Sequence, residues 1–202
     1  MSNENTRPEI LDRIEEEYGF AVFDGEEDYD LNIIGVRSEN REAGRYDDQF
    51  VICYKVGGKW KEDRFPCTTD PSVYWLKNGR KSGTAIVKHP QQMRGVYSIG
   101  LHRGKHECLR QMKPVDYWRD DNKDSILDFE NSGPVYRGVI HVNIHRSSAW
   151  RDTTDEPIGQ YSAGCTVLSS PENMERVLWL CRKQIEHNNW QRFTYTLIMG
   201  DY

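Results

Sequence analysis

The chain has 202 residues, of which 37% are hydrophobic and 29% charged, and its formal net charge at pH 7 is −5. This length and composition suit one globular domain with its own core and exclude a disordered chain. The mild acidity and the lack of a basic stripe argue against a nucleic-acid-binding protein. No apolar run is long enough for a membrane span.

The first seven residues lack the charged-then-apolar pattern of a secretion signal, which predicts a protein that is cytoplasmic when synthesised. The five cysteines are odd in number, and no two of them have the CxxC spacing. We therefore expect neither a disulfide framework, nor a zinc knuckle, nor a bound cofactor. Most of these cysteines should be small buried residues; they are Cys53, Cys67, Cys108, Cys165 and Cys181.

Residues 1–30 are predicted to form an N-terminal helix, over 8–18, followed by an acidic extension. Residues 31–202 are predicted to form a single β-rich domain. Its first hairpin is marked by Gly57-Gly58, which separates two strand-like runs. Further strands are predicted at 31–37, 50–56, 59–65, 84–87, 95–101, 108–112, 137–145 and 193–199.

Two segments between these strands are predicted to lie at the surface. The turn Arg103-Gly104-Lys105 has a histidine on each side, and we expect both His102 and His106 to be solvated; the alternative is that His102 approaches the cleft. The acidic run 118–128 is predicted to form turns. Near the C-terminus, Ser169 or Ser170 and then Pro171 predict the start of a second helix. With these two helices and the strands above, the chain is expected to be mostly β, a β-rich α+β domain.

Strand 137–145 carries the first candidate site. Because side chains alternate along a strand, His141, Asn143 and His145 should share one face. Three polar groups on one face of an apolar strand need hydrogen-bonding partners or a wet cleft. A sheet face exposed to solvent is the alternative.

Cys165 is the second candidate. The small residues Ser162, Ala163 and Gly164 precede it, so the backbone can turn sharply and leave the thiol accessible. Backbone N–H groups of Gly164 and Cys165 could then face a developing oxyanion. A neighbouring His145 would lower the thiol pKa and accept its proton. A small buried cysteine at the start of a strand is the alternative.

Together these segments resemble the L,D-transpeptidases with a YkuD-type catalytic domain. The family signature is a strand ending in His, a variable loop, and then Ser/Thr-His-Gly-Cys. Here His145 corresponds to the first His, and Ser162-Ala163-Gly164-Cys165 corresponds to the second element, 20 positions from His145 to Cys165. The resemblance covers about residues 80–170 and implies a YkuD-like mixed sheet or sandwich with two peripheral helices. The pattern also resembles phage and bacterial proteins with His-Arg…Trp/Tyr-Ser-Ala-Gly-Cys.

Two departures from the family pattern affect the expected function. Ala163 stands where the family has its second His, and Val167 stands where it has an Arg. The missing Arg puts the family's mode of substrate recognition in doubt. The nucleophile and its base are retained.

The resemblance implies an enzyme acting on peptidoglycan stem peptides, by transpeptidation or by carboxypeptidase or endopeptidase hydrolysis. Cys165 would be the nucleophile, His145 the base, and Gly164 part of the oxyanion site. Without a secretion signal, such an enzyme would reach the cell wall after release, as a phage lysin, or as a virion or injected component. Substrate contacts are expected from His141, Asn143, Arg146, Ser147, Trp150, Tyr161 and Ser162.

Two other functions stay open. His141 and His145, completed by Asp152, Asp155 or Cys165, could form a zinc peptidase site, although no metal-hydrolase motif is present. A catalytically degenerate protein that binds the wall or serves in a virion is favoured by Ala163 and Val167.

Overall fold

The computed structural model describes residues 6–129 and 133–200. This part of the chain contains three helices and eleven strands. The helices are α1 (Glu9–Glu16), α2 (Val73–Asn78) and α3 (Pro171–Asn188). The strands are β1 (Asn32–Arg37), β2 (Asp48–Val56), β3 (Lys59–Thr68), β4 (Thr84–Val87), β5 (Gln91–His102), β6 (His106–Gln111), β7 (Val115–Asp120), β8 (Tyr136–Gly138), β9 (Ile144–Arg146), β10 (Thr166–Leu168) and β11 (Phe193–Met199).

The major sheet closes on itself as a barrel in the order β1-β11-β5-β6-β9-β10-β3-β2. Two parallel pairings occur, β1 with β11 and β9 with β10, and the other neighbours are antiparallel. The predicted mostly β fold with a mixed sheet is confirmed. A two-sheet sandwich is wrong for the major sheet, because pairing of β1 with β11 joins strands from opposite ends of the chain and leaves no free edge.

A second sheet of three strands, in the order β4-β7-β8, lies beside the barrel. The expectation of two helices is wrong because α2 is a third. This helix has only six residues, too few to show the periodicity by which a helix is recognised in a sequence. The predicted turns over 118–128 are also wrong at their start, where β7 continues to Asp120.

The apolar core combines inward-facing strand residues with the buried stripe of α3, including Met174, Val177 and Cys181. Burial of this apolar surface is the main stabilising contribution to the fold. Helix α1 packs Ile10, Leu11 and Ile14 onto residues of β1, β2 and β11. No helix in the described ranges has the length and apolarity needed to cross a bilayer.

Local signals account for several elements. Gly57 and Gly58 have φ of 58° and 71°, the left-handed region that a tight hairpin between β2 and β3 requires. The Ser170 side chain accepts a hydrogen bond from the Asn173 backbone N–H, and Pro171 occupies the first position of α3.

Candidate functional site

A cleft of about 1040 Å³ lies where β4 of the small sheet faces the end of the β5–β6 hairpin. Cys165, which directly precedes β10 of the barrel, is one of its lining residues. The other lining residues come from distant parts of the sequence and include Trp75, Arg80, Ala85, His102, Arg103, Arg110, Arg119, Val139, Ile140, His141, Val142, Asn143, Tyr161 and Ala163.

The chain reaches Cys165 through a tight turn against β4. Gly164 has φ of +112°, and a Cβ built on it would lie 2.4 Å from the Ala85 carbonyl oxygen, so only glycine fits. The fully buried Ser162 hydroxyl accepts from the Gly164 N–H at 3.2 Å and donates to the Cys165 carbonyl at 2.8 Å. Ser162 and Gly164 therefore shape the turn. Because the Gly164 N–H already has a partner, its predicted role as an oxyanion donor is not supported.

The pairing of β9 with β10 brings the segments of His145 and Cys165 side by side. The parallel register sets His145 beside Val167. Asn143 and Cys165 lie two residues earlier, just before the two strands, and both line the cleft, whereas His145 does not. No hydrogen bond joins the Cys165 thiol to the His145 ring among the described residues; the thiol instead donates to the His141 carbonyl at 3.6 Å.

The ring of His145 is held in one tautomer. Its Nδ1–H donates to the Arg146 carbonyl oxygen at 2.7 Å, so Nε2 carries the lone pair. Nε2 is buried without a hydrogen-bond partner. Burial, followed by the neighbouring His102, lowers the pKa of His145 to about 3. His145 is therefore neutral at pH 7 and has a free acceptor nitrogen, as a general base requires.

His102 is partly buried and lies in the cleft, the alternative to a fully solvated ring. Its ring lies 4.0 Å from that of His145, centroid to centroid, and it lines the cleft. The Asn143 side-chain amide donates to its Nδ1 at 3.2 Å, because the Asn143 oxygen already accepts from the Gln111 N–H. Burial and the nearby His106 lower the pKa of His102 to about 4. Its position next to a turn favoured a solvated ring, because the contact with His145 forms only in the folded chain.

The thiol environment also differs from expectation. Burial raises the pKa of Cys165 to about 11, against smaller opposing effects of the Asn143 backbone N–H and the Arg103 charge. His145 does not act as the activating charge, because it is itself neutral. At pH 7 the pair is therefore a neutral thiol and a neutral imidazole, and any proton transfer between them must accompany attack on a substrate.

The predicted strand 137–145 is wrong in its middle. Only its two ends are strands, β8 and β9, and His141 between them is exposed with φ of 63°. The Gln111 side chain replaces a neighbouring strand here: its oxygen accepts from the N–H groups of Ile140 and Val142, and its nitrogen donates to the Gly138 carbonyl. His141 and Asn143 nevertheless both line the cleft, and Asn143 is 7% exposed.

Of the remaining predicted site residues, one lines the cleft and three do not. Tyr161 lines the cleft and is 42% exposed. Ser147 is buried and hydrogen-bonded to Thr153 and to the Ser169 carbonyl, away from the cleft. Trp150 is 90% exposed, and neither it nor Arg146 lines the cleft. Substrate contacts by Ser147, Trp150 and Arg146 are therefore not supported.

Four cleft residues were not predicted: Arg80, Arg103, Arg110 and Arg119. They come from three separate segments and share no spacing that a motif could reveal. No three His, Cys, Asp or Glu side chains within residues 6–129 and 133–200 are grouped so as to hold a metal ion. The zinc alternative therefore gains no ligand set from this arrangement.

Comparison with known proteins gives no assignment. No family model matches the chain, and neither a curated protein nor a solved structure matches it.

Proposed function

We propose that this protein is a cysteine-dependent acyl-transfer enzyme or hydrolase of the L,D-transpeptidase type, acting on peptidoglycan stem peptides. One observation carries the proposal. Cys165 lines a large cleft and lies two positions before Val167, the strand partner of His145, whose Nε2 has no hydrogen-bond partner among the described residues. The resemblance of the segments around His145 and Cys165 to the YkuD-type signature supports the choice of substrate.

The proposed reaction begins when substrate occupies the cleft and the thiol turns from the His141 carbonyl toward Nε2 of His145. Sulfur attacks the carbonyl carbon of a meso-diaminopimelate or similar residue while Nε2 accepts the thiol proton. The tetrahedral intermediate then collapses, the C–N bond breaks, and His145 returns the proton to the leaving amine. Attack on the thioester by an amine gives transpeptidation, and attack by water gives hydrolysis.

The test is mass spectrometry of muropeptides after incubation with purified cell walls of both the diaminopimelate and the lysine type. Wild type, Cys165→Ser and His145→Asn are compared, with His187→Ala, on the outer part of α3, as a control. New or shortened muropeptides from wild type and His187→Ala alone support the proposal. Products from all four proteins contradict the cysteine mechanism. No product from any protein on either wall contradicts the wall enzyme and favours a binding protein.

A further inference from the structure

The charge of the cleft is opposite to that of the whole protein. The chain carries a net charge of −5. Among the residues that the structure describes, those lining the cleft nevertheless include Arg80, Arg103, Arg110 and Arg119, here called the arginine wall, and no Asp or Glu. A concave surface lined by one sign of charge concentrates ligands of the other sign.

The arginine wall is also unneutralised. Nine other arginines pair with Asp or Glu within the described residues. None of the four wall arginines forms an ion pair in residues 6–129 and 133–200. Four positive charges around one cleft repel each other, and an anionic ligand would relieve that repulsion.

Two of these side chains are held in place by neighbouring groups. Arg119 lies over the Tyr117 ring, 5.0 Å from its centroid, and donates to the Gly83 carbonyl at 3.0 Å. The Arg110 stem crosses Gly100 so closely that a Cβ there would lie 2.5 Å from its Cδ. Ordered guanidinium groups lose less entropy on binding an oxyanion than free ones do.

The wall also lies near the candidate nucleophile. Burial raises the pKa of Cys165, and the Arg103 charge is one of the two groups that oppose this effect. Apolar and aromatic groups, Trp75, Ile140 and Tyr161, form other parts of the same cleft. A ligand that fills it therefore needs both apolar parts and a negative group.

We propose that the arginine wall binds a free carboxylate of the substrate peptide and so positions the neighbouring carbonyl beside Cys165. This inference rests on the proposed function, because it takes Cys165 as the reacting group. The planar guanidinium group matches a carboxylate in shape and can donate two parallel hydrogen bonds to it.

The first test compares two thiol reagents of similar size, anionic iodoacetate and neutral iodoacetamide, at Cys165. Both react with the same thiolate, so the ratio of their rates cancels the effects of burial and pKa. We expect the iodoacetate-to-iodoacetamide ratio at Cys165, measured by peptide mapping, to exceed that of 2-mercaptoethanol on the order of tenfold, and to fall at high salt. An equal ratio contradicts the proposal.

Matched variants show whether the wall causes this preference. Arg110→Gln and Arg119→Gln should each lower the ratio several-fold, and the double variant should bring it close to that of 2-mercaptoethanol. Arg94→Gln, an exposed arginine on the opposite part of β5, should leave the ratio unchanged. An equal fall for Arg94→Gln would assign the effect to overall charge and contradict the proposal.

A protection experiment identifies the anion. A diaminopimelate-containing tetrapeptide with free carboxylates should protect Cys165 from iodoacetamide at about one-tenth of the concentration needed for the fully amidated peptide. Equal protection by both peptides, or better protection by inorganic phosphate or ADP, contradicts carboxylate recognition. Charge preference without any muropeptide product would reject the proposed function alone, whereas product formation without charge preference would reject only this inference.

Discussion

His102 and His145 lie ring against ring, with centroids 4.0 Å apart and planes inclined by 32°. Two imidazole rings this close cannot both be in the positively charged imidazolium form without strong repulsion. The stack also covers His145, which is 3% exposed and has a pKa of about 3. The pair therefore keeps a neutral base beside the cleft at pH values where a solvated histidine would be half protonated.

Removing the outer ring should raise the pKa of the inner one. In His102→Ala, water can reach His145 and the repulsion from His102 is absent, so we expect its pKa to rise by at least one unit toward 6.5. The measurement is an NMR titration of the imidazole Cε1 proton. His141→Ala removes an exposed cleft histidine that does not affect His145 and should leave the titration unchanged. An unchanged His145 titration in His102→Ala would reject the proposed coupling.

The same burial should make the protein sensitive to acid. His145 has its ordinary pKa of 6.5 when unfolded and about 3 when folded, so between these values the unfolded chain binds the extra proton. Stability is then lost as the pH falls from 6.5 toward 3, with about 2–4 kcal/mol lost by pH 4 from this residue. His145→Asn retains a donor near the Nδ1 position but cannot titrate, so it should reduce this dependence in urea unfolding; His89 and His102, whose pKa values are also lowered, keep part of it.

The comparison of wild type with the variant is needed because other groups act in the opposite direction. Burial raises the pKa of Asp70 to about 7, despite its ion pair with Arg37 at 3.0 Å, and raises that of Asp120 to about 6. These carboxyls bind protons more readily in the folded chain, so they increase the stability of the fold as the pH falls. A pH slope that is identical in wild type and His145→Asn would contradict a depressed pKa of His145.

Much of the fold follows from local signals in the sequence. The strands at Thr84–Val87 and Phe193–Met199, the Gly57-Gly58 hairpin and the Ser170 cap were all predicted because alternation, turn residues and capping act over a few positions. The barrel could not be predicted in this way. Its closure depends on pairing of β1 with β11, which no local pattern encodes.

The candidate site was predicted where it depends on neighbours in sequence and missed where it depends on folding. Cys165, which lines the cleft, was predicted from its motif; His145 and Gly164, predicted from the same motif, do not line it. The turn beside His102 favoured a solvated ring because the contact with His145 on β9 exists only after folding, and the arginine wall was missed because its members meet only in the folded chain. The irregular segment after β8 was missed because a Gln111 side chain, not a strand, satisfies its backbone.

Gly164 should tolerate no side chain. In Gly164→Ala the methyl group would lie 2.4 Å from the Ala85 carbonyl oxygen, in a backbone conformation that is strained for alanine. We expect a loss of about 2 kcal/mol or more in the free energy of unfolding, with slower alkylation of Cys165. Gly159→Ala is the matched control, because Gly159 has φ of +61° and its nearest neighbour is 3.9 Å away. It should lose only about 1 kcal/mol; equal losses would contradict the steric argument.

Gln111 should control the order of the segment that lines the cleft. Gln111→Leu keeps an apolar stem but leaves the N–H groups of Ile140 and Val142 without their acceptor. We expect a loss of about 2–4 kcal/mol and faster hydrogen exchange at these two amides.

Gln111→Glu separates the acceptor role from the donor role. A glutamate keeps the oxygen that faces Ile140 and Val142 but loses the N–H donated to the Gly138 and Lys113 carbonyls. Exchange at the two amides should therefore stay slow in this variant, while the global stability falls because the two carbonyls lose their donor and face a carboxylate. Fast exchange in both variants would mean that the donor side holds the segment, and slow exchange in both would mean that Gln111 does not order it.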